Sequence, residues 1–282
     1  MTDIALPTDI AGKSVRRWFI TGASGGLGRA VTVHALERGD SVTATARRTA
    51  ALDDLRARYG DRLTVEALDV ASPAAIERVI ARTLSAGPVD IVVNNAGYAV
   101  VGAAEEMTEA DVRDQIEVLL MAPMAITRAF LPSMREQGGG RIVQISSMGG
   151  QVAMPTHSAY HAGKWGLEGF TESVSREVAE FGIFLSLIEP GGTRTEFVSA
   201  LRYTPESAAY RDTEVGRIRR RLAATDGATL PADPADIAAA IYDSTRHPKP
   251  PLRLTFGADA HDAVRAALTD RLAALDAQGT VS

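Results

Sequence analysis

Short β-branched or apolar runs alternate with longer stretches of helical periodicity along nearly the whole chain. That alternation points to a parallel α/β sheet, because strands buried on both faces read as apolar runs and each parallel neighbour needs a crossover, usually a helix. The spacing predicts strands at 16–21, 41–46, 63–68, 89–93, 141–146, 183–189 and 252–256. Helical patterns fall between them near 26–38, 50–59, 72–86, 108–136, 157–181 and 233–245, with a last amphipathic helix at 259–277. The βαβαβ order occurs twice, which predicts a doubly wound parallel sheet of Rossmann type with helices on both faces. No linker divides the chain, so 1–282 reads as a single domain. Residues 192–232 break the alternation, and a long insertion at the C-terminal edge of a sheet suits a substrate lid. Residues 258–282 read as a helical extension.

With 282 residues and 45% hydrophobic content the chain can bury a sizeable core. The formal net charge of −5 argues against a general nucleic-acid binder, which would carry a basic face. The absence of cysteine excludes disulfides and thiolate metal sites. Residues 1–12 lack the basic-then-apolar layout of a signal peptide, and no apolar run approaches the roughly 20 residues of a membrane span. A cytoplasmic protein is the expectation. No His or carboxylate pair has metal-ligand spacing, so no catalytic metal is expected.

The first strand runs into Thr21-Gly22-Ala23-Ser24-Gly25-Gly26-Leu27-Gly28, where an amphipathic helix starts. Glycines at 22, 26 and 28 allow a tight turn and a close approach of backbone amides to a pyrophosphate, and the helix N-terminus behind them adds partial positive charge. The strand before and the helix after supply the context that a dinucleotide-binding turn needs. The second strand ends in Ala46-Arg47-Arg48 and not in a carboxylate that would hold a ribose 2′-hydroxyl. Arg47, with Ser24 beside it, can pair with a 2′-phosphate through charge-assisted bonds, so NADP(H) is expected over NAD(H). Asp69 either accepts from an adenine amino group or caps the helix beginning near Ser72.

Asn94-Asn95-Ala96-Gly97 follows the fourth strand, and Ser146-Ser147 follows the fifth. Tyr160-His161-Ala162-Gly163-Lys164 then opens a long helix, with Tyr160 and Lys164 on one face because they are four apart. In this order the motifs resemble the short-chain dehydrogenase/reductase family from about residue 15 to residue 257. The resemblance implies that Tyr160 gives or takes the proton, that Lys164 lowers the pKa of the phenol and holds the nicotinamide ribose, and that Ser147 hydrogen-bonds the carbonyl oxygen. It places Asn94, Asn95 and Gly97 beside the adenine ribose and the central sheet, and Pro190-Gly191 beside the nicotinamide. Thr193 and Thr195 follow that turn, with Thr195 favoured for the carboxamide. Family members are commonly homodimers or homotetramers.

One position departs from the family pattern. An ungapped reading of Gln115–Pro123 puts Leu119 where relatives carry an asparagine that holds a proton-relay water. Drift with another group serving the water, a slowed enzyme and an engineered change all fit that difference. His157 and His161 are expected as pocket-wall or helix-start residues, the 217–221 arginine run as a solvated face, and Trp18 and Trp165 as packing. Tyr98, Val100, Met148, Gln151, Met154, Phe197 and Leu201 form the expected pocket wall. Their mainly apolar character suits a hydrophobic ketone or alcohol. Two rivals stand beside this reading: a nucleotide-sensing protein that has lost catalysis, and a cofactor-free lyase on the same scaffold. Against the lyase, the chain keeps Lys164 and the glycine turn.

Overall fold

A computed structural model describes residues 13–279; the reading of residues 1–12 and the last three residues of the C-terminal extension lie outside the described residues. The strands are β1 (Arg17–Ile20), β2 (Ser41–Ala46), β3 (Leu63–Ala67), β4 (Ile91–Asn94), β5 (Val100–Val101), β6 (Gly140–Ile145), β7 (Ile183–Pro190), β8 (Arg202–Tyr203) and β9 (Arg253–Phe256). The helices are α1 (Gly26–Glu37), α2 (Asp53–Tyr59), α3 (Pro73–Ser85), α4 (Glu109–Ile116), α5 (Ala122–Glu136), α6 (Ser158–Val178), α7 (Glu214–Ala223), α8 (Pro234–Arg246) and α9 (Ala258–Gln278).

Seven strands form one parallel sheet in the order β3-β2-β1-β4-β6-β7-β9. The order reverses between β1 and β4, so a crevice opens at the carboxyl ends of those two strands, the usual ligand site of such sheets. Helices α1, α2 and α8 bury Val31, Leu36, Leu55, Ile237 and Ile241 on one face. Helices α3, α5 and α6 bury Ile76, Val79, Ile126, Phe130 and Val174 on the other. β6 is buried at every position, as a central strand covered on both faces must be. Trp18 packs as expected, stacked on Tyr242 at 5.8 Å between ring centres, with its Nε1 donating to Asp40 at 2.8 Å.

Four local features differ from the sequence reading. The 50–59 helix begins as a 3₁₀ turn at Thr49–Leu52 before α2. Ser72, not Asp69, caps α3: its hydroxyl accepts from the Ala75 amide at 3.3 Å, and Pro73 takes the first helical position, where no amide is needed. The 108–136 helix widens into a π turn at Glu117–Met121 between α4 and α5. The insertion is also less irregular than expected, since it contains α7 and the short strand β8, which pairs in parallel with β5.

By length and composition the continuous helix Glu109–Glu136 could cross a membrane, which the sequence reading did not anticipate. Here Ile126, Phe130 and Met134 on that helix are buried in the core.

Candidate active site

The glycine turn lies under the crevice between β1 and β4. Gly22 and Gly26 have φ of 65° and 51°, a region that side chains rarely adopt. A Cβ at Gly22 would also press on the Ala96 backbone at 2.9 Å. The turn is held from the end of β4: the Asn95 side-chain Nδ2 donates to the carbonyls of Thr21 at 2.9 Å and Gly22 at 3.1 Å. Gly25 precedes α1 and caps it with no side chain, so the first-turn amides of α1 are available to an anion.

Gly28 differs from its expected role. It does not line the cavity; a Cβ there would strike the Asn95 side chain and the Gly22 carbonyl. Its role is close packing of α1 against the turn. Gly28→Ala is expected to cost about 1–3 kcal/mol by overpacking. Thermal unfolding checks this, the variant melting at a lower temperature than the wild type.

A cavity of about 550 Å³ runs along the carboxyl edge of the sheet. Gly22, Ser24, Gly26, Leu27, Arg47, Arg48 and Asp69 line one end. Arg47 and Arg48 are exposed and make no hydrogen bond or ion pair among the described residues. Asp69 accepts from the Ala71 amide at 3.1 Å, which fixes its carboxylate at the cavity edge. Asn95, Gly97, Pro190, Gly191, Thr193 and Thr195 line the middle. Asn94 instead points into the core, donating to Thr127 Oγ1 at 3.3 Å. The Gly192 amide donates to Asp259 of α9 at 2.8 Å, which ties the turn after β7 to the last helix.

Ser147, Tyr160 and Lys164 meet at the other end of the cavity. Ser147 follows β6; its Oγ accepts from the Gly149 amide at 3.0 Å, and its hydroxyl is hydrogen-bonded to Tyr160. Tyr160 and Lys164 project from the first turns of α6, with Lys164 Nζ 5.7 Å from the centre of the phenol ring. Nζ donates to the Ile145 carbonyl at 2.7 Å. Burial pushes the Lys164 ammonium down to about 8, partly opposed by the Glu168 carboxylate one turn on.

The expected lowering of the Tyr160 pKa by Lys164 is not seen. Burial pushes the phenol above its ordinary 10.0, and only the hydrogen bond with Ser147 pulls the other way. The ammonium sits over the ring and is held by a carbonyl, so desolvation of the phenolate wins. Tyr160 is therefore protonated at neutral pH.

Tyr98, Met148, Met154 and Phe197 form part of the cavity wall as expected, with Phe197 edge-on to Tyr160 at 6.2 Å. Three expected wall residues are placed elsewhere. Val100 is buried in β5. Gln151 turns away to donate to Glu189 at 2.7 Å. Leu201 packs behind the wall on the cluster of Ala99, Leu119 and Tyr160. His157, Glu196, Val198, Ala200 and Leu230 also line the cavity. Four of these five lie in the insertion, where tertiary contacts and no local motif set the conformation.

The arginine run is not uniformly solvated. The Arg219 guanidinium is largely buried and donates to the Thr204 carbonyl and hydroxyl, and Glu106 lies 3.6 Å away. Glu106 also accepts from the Ser207 amide at 2.7 Å, so these groups staple the insertion to the loop after β5. Trp165 is likewise not a core residue: it is 42% exposed, beneath the Arg271 guanidinium at 5.0 Å. Leu119 is buried at the π turn, where it lines the cavity and touches Gly97 and Gly163. Among the described residues no three His, Asp or Glu side chains are grouped to hold a metal.

A doubly wound sheet with an open glycine turn and a serine, tyrosine and lysine around one cavity defines a Rossmann-type oxidoreductase. The short chain dehydrogenase family model matches residues 16–206, and the chain belongs to that family. It is 38% identical over 245 residues to oxidoreductase BOA17 of Botryotinia fuckeliana, covering 86% of this chain and 89% of that one. A short-chain dehydrogenase structure from Streptomyces avermitilis is 43% identical with a TM-score of 0.88, covering 96% of this chain and all (100%) of that one. A metagenomic short-chain oxidoreductase solved in complex with NADP is 26% identical with a TM-score of 0.68, over 86% and 98% of the two chains.

Proposed function

We propose that the protein is an NADP(H)-dependent carbonyl reductase, or secondary alcohol dehydrogenase in reverse, acting on a hydrophobic substrate. One observation carries the reading: Ser147, Tyr160 and Lys164 share a cavity with a glycine turn flanked by Arg47 and Arg48, which have no ion-pair partner among the described residues. The residues present fit the nucleotide. Side chains at Gly22 or Gly26 would be strained and would crowd the cradle, the α1 amides face the cavity end, and Arg47, Arg48 and Ser24 can hold a 2′-phosphate.

The cofactor supplies hydride when bound. Tyr160 donates its proton to the carbonyl oxygen in reduction, and its raised pKa keeps that proton in place at neutral pH. Ser147, oriented by the Gly149 amide, donates to the same oxygen as charge develops there. Lys164 keeps a cation beside the phenol and would hold the nicotinamide ribose. Tyr98, Met148, Met154, Phe197 and Leu230 exclude water and favour an apolar substrate.

Reduction needs Tyr160 protonated and Lys164 charged. Since the Lys164 ammonium titrates at about 8, kcat for reduction is expected to fall as pH rises through that value. A pH profile at saturating NADPH checks this, and a flat profile to pH 10 contradicts it.

Leu119 favours a second reading, a nucleotide-sensing protein with weakened catalysis. Its side chain has no group to hold a relay water, although the π turn around it displaces carbonyls from the helical ladder, which can serve instead. Leu119→Asn is expected to raise turnover by restoring a relay partner. It is also expected to cost about 1–3 kcal/mol, because the amide is buried among Ala99, Gly97 and Gly163. Turnover that is unchanged or lower, with the fold intact, counts against an impaired relay. Saturable NADPH binding by fluorescence, followed by a ketone panel, separates enzyme from sensor. The proposal includes a cytoplasmic homodimer or homotetramer, for which light scattering gives the mass.

A further inference from the structure

His161 neighbours Tyr160 in the chain but lies on a different side of α6, and both of its ring nitrogens are committed. Nδ1 lies 2.8 Å from the Gly149 carbonyl, and Nε2 lies 3.0 Å from the Met154 amide. A carbonyl only accepts and an amide only donates, so Nδ1 carries the hydrogen and Nε2 carries the lone pair. The ring is neutral in this arrangement, because a second proton at Nε2 would face the Met154 N–H.

The two bonds clamp both ends of the segment after β6. Gly149, at one end, donates to Ser147 Oγ at 3.0 Å, so the chain of contacts runs from His161 through Gly149 to the serine. A Cβ on Gly149 would meet the His161 ring at 2.9 Å and the Tyr160 ring at 3.3 Å. Met154, at the other end, is part of the cavity wall. Two residues on, Thr156 has a φ of 77°, an unfavourable value for a β-branched residue, which persists only where surrounding contacts over-determine it.

We infer that His161 is a positioning residue: as the neutral Nδ1–H tautomer it aims Ser147 and Met154 at the substrate, and its protonation releases the segment. This rests on the carbonyl-reductase reading for its kinetic consequence but not for the clamp itself. The nearest ionisable groups on the same helix are His157 and Tyr160, each 5.9 Å from His161 between ring centres, with Lys164 one turn on. On the other side of the segment Glu189 and Arg271 hold Gln151. Burial holds His161 below the ordinary histidine value of 6.5, so release occurs on the acid side of it. The same holds for His157, whose own titration must be separated.

Imidazole nitrogen NMR on the full chain with no nucleotide added tests the clamp. The expected result at neutral pH is a neutral His161 ring with hydrogen on Nδ1, and faster exchange of the Met154 amide once the ring protonates. A hydrogen on Nε2, or Met154 exchange indifferent to that protonation, overturns the inference whether or not any ketone is reduced.

Kinetics test the consequence. The ketone kcat/KM of the wild type is expected to fall on the acid side, while NADPH affinity holds. His161→Gln is expected to lose that acid limb and about tenfold in ketone kcat/KM at neutral pH, the worth of one or two hydrogen bonds, with NADPH affinity retained. His157→Gln is expected to keep the limb. A limb that persists in His161→Gln and vanishes in His157→Gln assigns the titration to the wrong histidine and overturns the inference.

Discussion

Tyr160→Phe is expected to cost about 10²–10⁴ in kcat, the range for a lost general acid, while NADPH binding is retained. The substitution removes one oxygen from a buried side chain that packs with Ala99 and Leu119. Phenylalanine keeps the ring, so packing is preserved and any loss reports the proton. The phenol is the natural donor here because burial holds it protonated and Ser147 is its hydrogen-bonding neighbour. Single-turnover consumption of NADPH, paired with a fluorescence titration, separates chemistry from binding. Activity within tenfold of the wild type would move the proton donor elsewhere, with His157 on the same cavity wall the next group to examine.

On the proposed NADP(H) reading, Arg47→Asp is expected to shift the nucleotide preference toward NADH. Removing the guanidinium forfeits charge-assisted bonds to a 2′-phosphate, about 1.5–3 kcal/mol or roughly 10–100-fold. The new carboxylate then repels that phosphate and offers an acceptor to the 2′-hydroxyl of NADH. Arg47 makes no hydrogen bond or ion pair among the described residues, so the fold is expected to be indifferent to the change. Comparison of kcat/KM with the two nucleotides reads the effect. An unchanged ratio would transfer the role to Arg48 and Ser24, and the Arg47→Asp, Arg48→Ala pair would decide between them.

The sheet was legible because its strands are buried on both faces, which makes each of them an apolar run bounded by turn residues. The glycine turn and the serine, tyrosine and lysine were legible because neighbouring positions carry the chemistry together. The rest depends on contacts between distant segments. Val100 and Leu201 have the right character for a pocket wall, but pairing of β5 with β8 draws the first into a ribbon and the second behind it. Gln151 finds a buried carboxylate on β7, and Arg219 finds Glu106 more than a hundred residues away. The π turn at Leu119 is written in Glu117 and four apolar residues that would suit an ordinary helix equally well.

The balance of effects at Tyr160 was beyond sequence for a similar reason. Spacing showed that Lys164 shares its helix face, but not that the ammonium would be tied to the Ile145 carbonyl over the ring. That geometry leaves desolvation in command of the phenol and suits the protein to the donor role.

Hydride transfer itself is the most direct test. NADPH carrying deuterium at both C4 positions of the nicotinamide is incubated with a panel of hydrophobic ketones, and the alcohols are examined by mass spectrometry. Deuterium is expected on the carbinol carbon, with NADPH preferred over NADH and labelled alcohol formed about 10²–10⁴ more slowly by Tyr160→Phe. Saturable NADPH binding with no deuterium delivered to any ketone would contradict it.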